Sequence, residues 1–322
     1  KKLHVGSIGI DVALMGKAQG ARQSTHFHVI ANVLKYLAVQ ARNVRWLSTR
    51  STEHSDGSPI QLQRLRGEDS GIALFGFNSP RDRNALGFEF VEAMREVNQI
   101  LREDVKISVV ILHSMVPGIF CAGANLKERL QMSDEEVAKF VRLLRSTFIQ
   151  IEDLPMPTIA AIDGVAVGGG LELALACDIR VVAETAKVGL VETSRGLIPG
   201  AGGTQRLPRV IHPNIAKELI FTSRIVSGKE SKELGIANHV VSQNSSKNAA
   251  LEKALSVARE ILPNAPIALR CAKQAVNEGI QLGIKDGYEV EQKCYEINIP
   301  TRDRKEGMIS FIEKRKPVYE GN

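Results

Sequence analysis

The pattern of apolar and polar positions from residue 60 onward predicts alternating strands and helices. Ile60–Leu65 and Gly71–Phe77 have the short apolar runs of strands, and a helix is predicted from about Leu86 to Leu101. Ser133 precedes Glu136 by three residues, the spacing of a capping box at a helix N-terminus. The next predicted elements are a strand at Val105–His113, a strand at Pro157–Ile162, a flexible turn at Gly164–Gly170, a helix at Leu171–Cys177 and a strand at Ile179–Ala183. Repetition of strands and helices predicts a stacked α/β core.

The C-terminal third changes to helical spacing. The predicted helices are Ile215–Thr222, Lys229–Leu234, Ala249–Leu262, Pro266–Glu278 and Tyr288–Tyr295. We therefore divide the chain into a leader at 1–55, an α/β core at 56–260 and a helical oligomerisation region at 261–322. An alternative is that these last helices simply cover the core.

Positive charge is concentrated at the start of the sequence. Residues 1–50 hold eight Lys or Arg and one acid, whereas the remainder holds 34 basic and 35 acidic residues. The leader therefore has the composition of a mitochondrial transit peptide, with a basic disordered tail as the alternative. Arg45–Ser48 resembles a matrix-protease cleavage site, which predicts a location in the mitochondrial matrix. The body of the chain gives no electrostatic reason to expect a polyanionic partner.

Membrane, disulfide and metal chemistry are not predicted. Apolar runs such as Val109–Leu112 are far shorter than the roughly 20 residues that cross a bilayer. No histidine lies in an H-E-x-x-H pattern, so no metal site is predicted. The scattered cysteines are predicted to be free thiols: Cys121, Cys177, Cys271 and Cys294.

Two glycine-containing turns are candidate anion sites. Gly168–Gly170 lies at a predicted strand-to-helix junction, where backbone N–H groups can face an anion. A tight turn with close backbone packing explains these glycines equally well. The second turn, Phe120–Lys127, follows a predicted strand, and a simple loop is its alternative. If the fold brought the two turns together, two N–H donors could stabilise the oxygen of an enolate.

Two glutamates are candidate acid and base groups. Glu172 lies in the apolar helix Leu171–Cys177, where a buried carboxylate would be costly without a compensating role. Exposure at a wet edge of that helix is the alternative. Glu192 ends a predicted apolar strand and precedes the glycine-rich loop Pro199–Gly203. Taken singly, neither glutamate establishes an active site.

Three segments together resemble the crotonase (enoyl-CoA hydratase/isomerase) superfamily. They contain Cys-Ala-Gly-Ala at 121–124, Gly-Gly-Gly-Leu-Glu-Leu-Ala at 168–174 and Ile-Pro-Gly-Ala-Gly-Gly-Thr-Gln-Arg-Leu at 198–207, in the order and spacing of that family. The resemblance spans roughly residues 58–322. It implies a spiral of ββα units with a C-terminal helical trimerisation region, assembled as a homotrimer or a homohexamer.

The resemblance also implies the chemistry. The backbone N–H groups of Ala124 and Gly169 would bind the thioester oxygen of an acyl-CoA. Glu172 would deprotonate a water molecule that attacks the β-carbon, and Glu192 would protonate the α-carbon. Possession of both carboxylates favours a hydratase, because isomerases of the family often keep one. A methylglutaconyl-CoA hydratase or an enoyl-CoA isomerase would share these residues.

Further residues are implied to contact the substrate. The loop Ala124, Asn125, Leu126 and Lys127 would lie against the acyl-CoA. Phe311 and Lys314 would contact the CoA nucleotide, in one arrangement from a neighbouring subunit, although Lys314 could also be a solvated surface charge. Coenzyme A is part of the substrate, so no separate cofactor is expected. The family usually has Asp where this chain has Asn125, which puts full activity in doubt.

RNA binding is the hypothesis from another functional class, because one member of the family binds RNA through a lysine-rich helix. The corresponding predicted helix has Arg95 as its basic residue, beside Glu89, Glu92 and Glu96. Such a face should repel phosphate. A catalytically impaired relative that only binds CoA is the remaining alternative, motivated by Asn125.

Overall fold

A computed structural model describes residues 58–322 and contains two β-sheets. The larger sheet has the strand order β1-β2-β3-β5-β7-β10, and the smaller has the order β4-β6-β8-β9. The strands are β1 Ile60–Arg64, β2 Ile72–Phe77, β3 Val109–Ser114, β4 Ile119–Cys121, β5 Thr158–Ile162, β6 Val165–Val167, β7 Ile179–Ala183, β8 Lys187–Gly189, β9 Val226–Ser227 and β10 His239–Val241. Only the outer pairs β1/β2 and β8/β9 are antiparallel among these strands.

Eleven α-helices are present in the described residues. They are α1 Phe88–Glu103, α2 Leu126–Arg129, α3 Asp134–Glu152, α4 Gly169–Leu175, α5 Gly203–Val210, α6 Pro213–Phe221, α7 Gly228–Glu233, α8 Ala249–Ile261, α9 Pro266–Gly279, α10 Ile284–Asn298 and α11 Arg302–Glu313. The predicted capping box is confirmed, because Ser133 Oγ accepts from the Glu136 backbone and the Glu136 carboxylate accepts from the Ser133 backbone.

Successive strands alternate between the two sheets. β3, β5 and β7 pair side by side in the larger sheet, and each is followed by a strand of the smaller sheet, β4, β6 and β8 respectively. A helix or helical turn follows each of these strand pairs. This repetition is the predicted spiral of ββα units, so the predicted fold class is confirmed.

Both faces of the larger sheet are buried, as expected for parallel strands. In β3, Val110 and Leu112 join the core that contains the helix side chains of α1 and α3. Val109 and Ile111 point to the opposite face and pack in a second cluster with Ala254 of α8. The near-continuous apolar sequence of β3 follows from this double burial.

Some predicted boundaries are wrong. The predicted flexible turn Gly164–Gly170 contains β6 and the first residues of α4. Strand β3 begins at Val109 and not at Val105, whose side chain is 54% exposed. Helix α11 has no counterpart in the prediction, because its only buried residues are the polar Asp303 and Ser310.

The C-terminal helices are tied to the core by a partly buried polar cluster. Lys273 of α9 donates from Nζ to Asp178 Oδ2 at 2.8 Å, and the same oxygen accepts from the backbone nitrogen and the hydroxyl of Thr158. The proposed domain boundary at 260 stays a prediction. The predicted leader lies outside the described residues. Among residues 58–322, no helix is long and apolar enough to cross a membrane.

Candidate active site

Three neighbouring parallel strands bring the predicted site segments together. β4, β6 and β8 end at the same edge of the smaller sheet because they run parallel. The turn of residues 122–125 follows β4, Gly168 and α4 follow β6, and Glu192 comes soon after β8. The carboxyl edge of parallel strands is the common location of binding sites in α/β sheets.

The two predicted oxyanion donors lie beside each other. A Cβ atom added to Gly169 would stand 3.9 Å from the backbone nitrogen of Ala124, and one added to Gly123 would stand 3.5 Å from the backbone nitrogen of Gly169. Gly123 has a φ of +89°, a conformation that favours glycine. Within residues 58–322, neither the Ala124 nor the Gly169 nitrogen donates a hydrogen bond. Two backbone N–H groups that donate no hydrogen bond in the described residues therefore lie side by side.

Glu172 is buried in the first turn of α4, with 2% of its surface exposed. Its Oε1 accepts from the backbone nitrogens of Ala201 at 2.9 Å and Gly203 at 2.7 Å. Burial raises the pKa of this carboxyl, and the hydrogen bonds from Gly203 and Ala201 oppose the increase. The alternative of an exposed helix edge is wrong for Glu172. Its carboxylate is held in one position while it retains the basicity that a proton acceptor needs.

Glu192 begins a 3-10 turn at Glu192–Arg195 and is half-buried. Burial, followed by the negative charge of Glu172, raises the pKa of Glu192 to about 7. Its Oε2 is buried without a hydrogen-bond partner in the described residues. The turn itself is fixed, because the Thr193 hydroxyl donates to the Ile220 carbonyl at 2.6 Å. Near neutral pH, this carboxyl can both hold and release a proton.

Comparison with known proteins identifies the family. Residues 67–322 match the family described as "Enoyl-CoA hydratase/isomerase". The chain belongs to this family. Membership confirms the resemblance inferred from the sequence motifs, and it confirms that the chain is an enzyme of the enoyl-CoA hydratase family.

Relatives within the enoyl-CoA hydratase/isomerase family include mitochondrial proteins. The chain is 54% identical over 262 residues to enoyl-CoA hydratase domain-containing protein 2, mitochondrial, of Mus musculus, covering 81% of this chain and 88% of that protein. It is 49% identical over 271 residues to methylglutaconyl-CoA hydratase, mitochondrial, of Homo sapiens, covering 84% of this chain and 80% of that protein. The segments 83–87 and 193–196 predict similarity to the former protein, and this similarity is confirmed.

A solved structure of the family has the same fold. The crystal structure of enoyl-CoA hydratase from Bacillus anthracis aligns with a TM-score of 0.78 and 43% sequence identity. The alignment covers 82% of this chain and 100% of the chain in the crystal structure.

Asn125, the expected departure from the family motif, has a structural partner. Its side chain is the N-cap of α2, and its Nδ2 donates to Glu128 Oε1 at 2.7 Å. The other oxygen of Glu128 accepts from the backbone nitrogen of Phe88 at 3.0 Å, at the start of α1. Asn125 and Glu128 thus join the turn that carries Ala124 to the first helix.

We expect Asn125→Asp to lower the free energy of unfolding by about 1 kcal/mol, because it replaces a donated hydrogen bond with two carboxylates in contact. Aspartate is itself a good N-cap, so the N-cap of α2 should remain. Urea unfolding at neutral pH measures the difference. Adding Glu128→Gln to Asn125→Asp removes the repulsion and should recover most of the loss; a double variant no more stable than the single one would contradict this explanation.

The residues predicted to contact CoA belong to two different helical segments. Leu126 and Lys127 are exposed on α2, next to Ala124. Phe311 is 84% exposed on α11, and Lys314 follows that helix with a φ of +54°. In the part of the chain that the structure describes, no hydrogen bond joins Phe311 or Lys314 to residues 124–127. The roles of both groups remain predictions.

Several site residues were missed by sequence reasoning. Ala201 and Gly203 hold the Glu172 carboxylate, although they lie about thirty residues away in the chain, and no local pattern indicates that contact. Glu128 could have been found, because Asn125 and Glu128 have the spacing of a capping box. Within residues 58–322, no group of three or more His, Cys, Asp or Glu side chains could hold a metal ion.

Proposed function

We propose that this enzyme adds water across the 2,3 double bond of an enoyl-CoA thioester. The observation that carries the proposal is a buried carboxyl group, Glu172, whose charge acts on the half-buried Glu192, beside two unused backbone N–H donors. The N–H groups of Ala124 and Gly169 bind the thioester oxygen and stabilise the enolate that forms there. The reaction requires no cofactor other than the coenzyme A carried by the substrate.

The two glutamates divide the proton transfers. Glu172 takes a proton from the water molecule as its oxygen bonds to C3, and the electron pair of the double bond moves toward the thioester oxygen. Glu192 then delivers its proton to C2 as the enolate collapses. The hydroxyl group at C3 and the hydrogen at C2 together account for the added water. Retention of both carboxylates supports hydration over isomerisation.

Hydration of crotonyl-CoA by the purified protein tests this proposal. Loss of the conjugated-enoyl absorbance, with formation of 3-hydroxybutyryl-CoA, would support it. Glutaconyl-CoA, which carries a terminal carboxylate, is assayed in parallel so that a preference for charged acyl groups is not mistaken for inactivity. No hydration of either substrate would overturn the proposal and favour the alternative of a protein that binds CoA without catalysing hydration.

We also propose a homotrimer, alone or paired into a homohexamer. The last three helices, α9–α11, expose a large apolar surface whose members include Val276, Ile280, Ile284, Tyr288, Ile309 and Ile312. A group of exposed apolar side chains on neighbouring helices is typical of a protein–protein interface. Phe311 and Lys314 lie in the same region, where they could reach the CoA nucleotide of a neighbouring subunit.

Light scattering should give three or six times the 35.2 kDa mass of the chain. Ile280→Glu places a charge on a side chain that is 71% exposed in the single chain, so we expect it to dissociate the assembly without unfolding the subunit. Glu135→Gln, on exposed α3 surface, is the control. A wild-type monomer at micromolar concentration would contradict the assembly.

A location in the mitochondrial matrix is proposed from the leader composition and the mitochondrial names of the relatives. Import of the full chain into isolated mitochondria would support it, and exclusion would contradict it. RNA has no part in the proposed function. Helix α1 carries Glu89, Glu92 and Glu96 on its exposed surface, and Arg95 is paired with Glu92 at 3.0 Å.

A further inference from the structure

The loop of residues 200–203, which holds the carboxylate of Glu172, is itself held by an arginine of α5. Ala201 and Gly203 donate their backbone N–H groups to Glu172 Oε1 at 2.9 and 2.7 Å. Arg206 donates from Nη1 to the carbonyl oxygen of Ala201 at 3.0 Å. This carbonyl lies in the chain between the two donor nitrogens. Because peptide units are planar, a contact that fixes the carbonyl restrains the orientation of both donors.

The loop needs such a contact because three of its four residues are glycine. Glycine has little conformational preference of its own, and Gly202 adopts a φ of +117°. A Cβ atom added to Gly202 would collide with Arg206 Nη1, so the guanidinium lies directly against the loop. Side-chain contacts from outside the loop therefore decide where its N–H groups point.

The Arg206 guanidinium is fixed from its other side by Glu152, at the end of α3. Its Nε and Nη2 donate to Glu152 Oε2 at 3.1 and 2.5 Å, and the side chain of Arg206 is 10% exposed. An ion pair that merely tied α5 to α3 would need these two nitrogens alone. A guanidinium offers its donors in a rigid planar fork, so binding to Glu152 also sets the direction of Nη1 toward Ala201.

A second arginine has the same relation to the loop. Arg145 of α3 donates from Nε to the carbonyl oxygen of Gly200 at 3.0 Å. This carbonyl belongs to the same peptide unit as the Ala201 N–H that bonds to Glu172. Hydrogen bonds in such a chain polarise one another, so the guanidinium strengthens that N–H as a donor. Arg145 is exposed, however, and solvent competes for its contact more than for that of Arg206.

We propose that Arg206 is a positioning residue for the base of the reaction: it holds the loop so that two N–H groups meet Glu172 Oε1 and leave Oε2 to the attacking water. The proposal rests on the proposed function, in which Glu172 is that base. Within residues 58–322, Oε2 accepts no hydrogen bond, whereas Oε1 accepts two. Arg206 acts through the loop and takes no proton itself.

Arg206→Met should lower kcat for hydration of crotonyl-CoA roughly 10- to 100-fold, the effect of displacing a reacting group by about 1 Å. KM should stay nearly unchanged, because the N–H groups that bind the thioester oxygen are not altered. Arg209→Met is the matched control: it removes the same charge from an exposed position of α5, where Arg209 bonds to Gln205 of its own helix. Equal kcat values for Arg206→Met and Arg209→Met would overturn the proposal.

Arg206→Lys keeps the charge without the planar fork, so it should recover only part of the lost kcat. Thermal unfolding shows whether each variant is folded. If Arg206→Met did not fold, Arg206→Lys would decide the question, and a wild-type kcat in Arg206→Lys would overturn the proposal.

The pH dependence distinguishes positioning from a general structural defect. Burial has the largest effect on the pKa of Glu172 and raises it, whereas the hydrogen bonds from Gly203 and Ala201 and the charge of Arg206 lower it. Loss of Arg206 should therefore raise this pKa. The base must be ionised, so the fall of kcat/KM on acidification should begin at a higher pH in Arg206→Met than in Arg209→Met. The other charged groups that act on Glu172 remain in both variants: Arg145, Arg129 and Glu192.

A measurement without substrate separates this proposal from the proposed hydration. Infrared difference spectra between each protein and its Glu172→Gln counterpart follow the ionisation of Glu172 with pH. A higher pKa of Glu172 in Arg206→Met than in wild type would support control of this carboxylate by Arg206, even if no enoyl-CoA were hydrated. The same pKa in both proteins would overturn the positioning role, while hydration of crotonyl-CoA by wild type would leave the proposed function standing.

Discussion

Glu172→Gln should lower kcat for enoyl-CoA hydration by about a thousandfold, within the range expected for loss of a general base. The amide cannot accept the proton of the attacking water at neutral pH. Its carbonyl oxygen can still accept from the backbone nitrogens of Ala201 and Gly203, which now bond to Glu172 Oε1 at 2.9 and 2.7 Å. The substitution therefore removes the base and keeps the hydrogen bonds that position the side chain.

Steady-state kinetics with the better of the two enoyl substrates, together with thermal unfolding, checks this expectation. The melting temperature should not fall, because the wild-type carboxylate is unfavourably buried when charged, as its raised pKa indicates. Glu135→Gln is the matched control, since that side chain is 78% exposed and pairs with Lys139 on the surface of α3. If Glu172→Gln kept more than a tenth of the wild-type kcat, Glu172 could not be the principal base.

The sequence predicts the larger elements of the fold from local signals. Ile179–Ala183 forms a strand with the predicted bounds, because apolar residues there meet neighbouring strands on both sides. The start of α3 is predicted by the capping box of Ser133 and Glu136, whose hydrogen bonds involve residues only three apart. Such signals depend on the segment itself and need no knowledge of tertiary contacts.

Short strands and burial are not predictable in this way. β6 has three residues, too few for a period to be recognised, and it exists because it pairs with β4 and β8. The burial of Glu172 depends on a loop about thirty residues later, which supplies both of its hydrogen bonds. The candidate site was therefore found through the family motifs, and the local sequence alone left both glutamates ambiguous.

Activity should depend on the ionisation of Glu192. The pKa of this carboxyl is raised to about 7, so Glu192 holds a proton below that pH and loses it above. Only the protonated form can deliver a proton to C2. We therefore expect kcat/KM for hydration to fall as pH rises through 7, approaching a tenfold decrease per pH unit. In the same range, Glu172 must remain ionised to act as the base.

Measuring kcat/KM from pH 5 to 9 tests the dependence, and the Glu135→Gln control, which retains Glu192, should give the same pH profile as the wild type. Glu192→Gln should lower kcat by about 100-fold to 10,000-fold, because the amide cannot donate a proton as an acid does. An unchanged profile above pH 7 in wild type would show that Glu192 does not supply the proton.

Glu192→Gln should also change how stability depends on pH. Between the ordinary glutamate pKa of 4.5 and the folded value of about 7, the folded wild type binds a proton that the unfolded chain releases, so its stability falls as pH rises. The amide has no such proton. Because Glu192 is partly screened by solvent, we expect the variant to gain about 1–2 kcal/mol relative to wild type between pH 5 and pH 8. Urea unfolding at both pH values measures this gain. A gain in stability together with a loss of turnover would mean that the raised pKa of Glu192 serves catalysis at the expense of stability. Parallel stability curves for the variant and the wild type would show that the pKa of Glu192 is not raised in the folded protein.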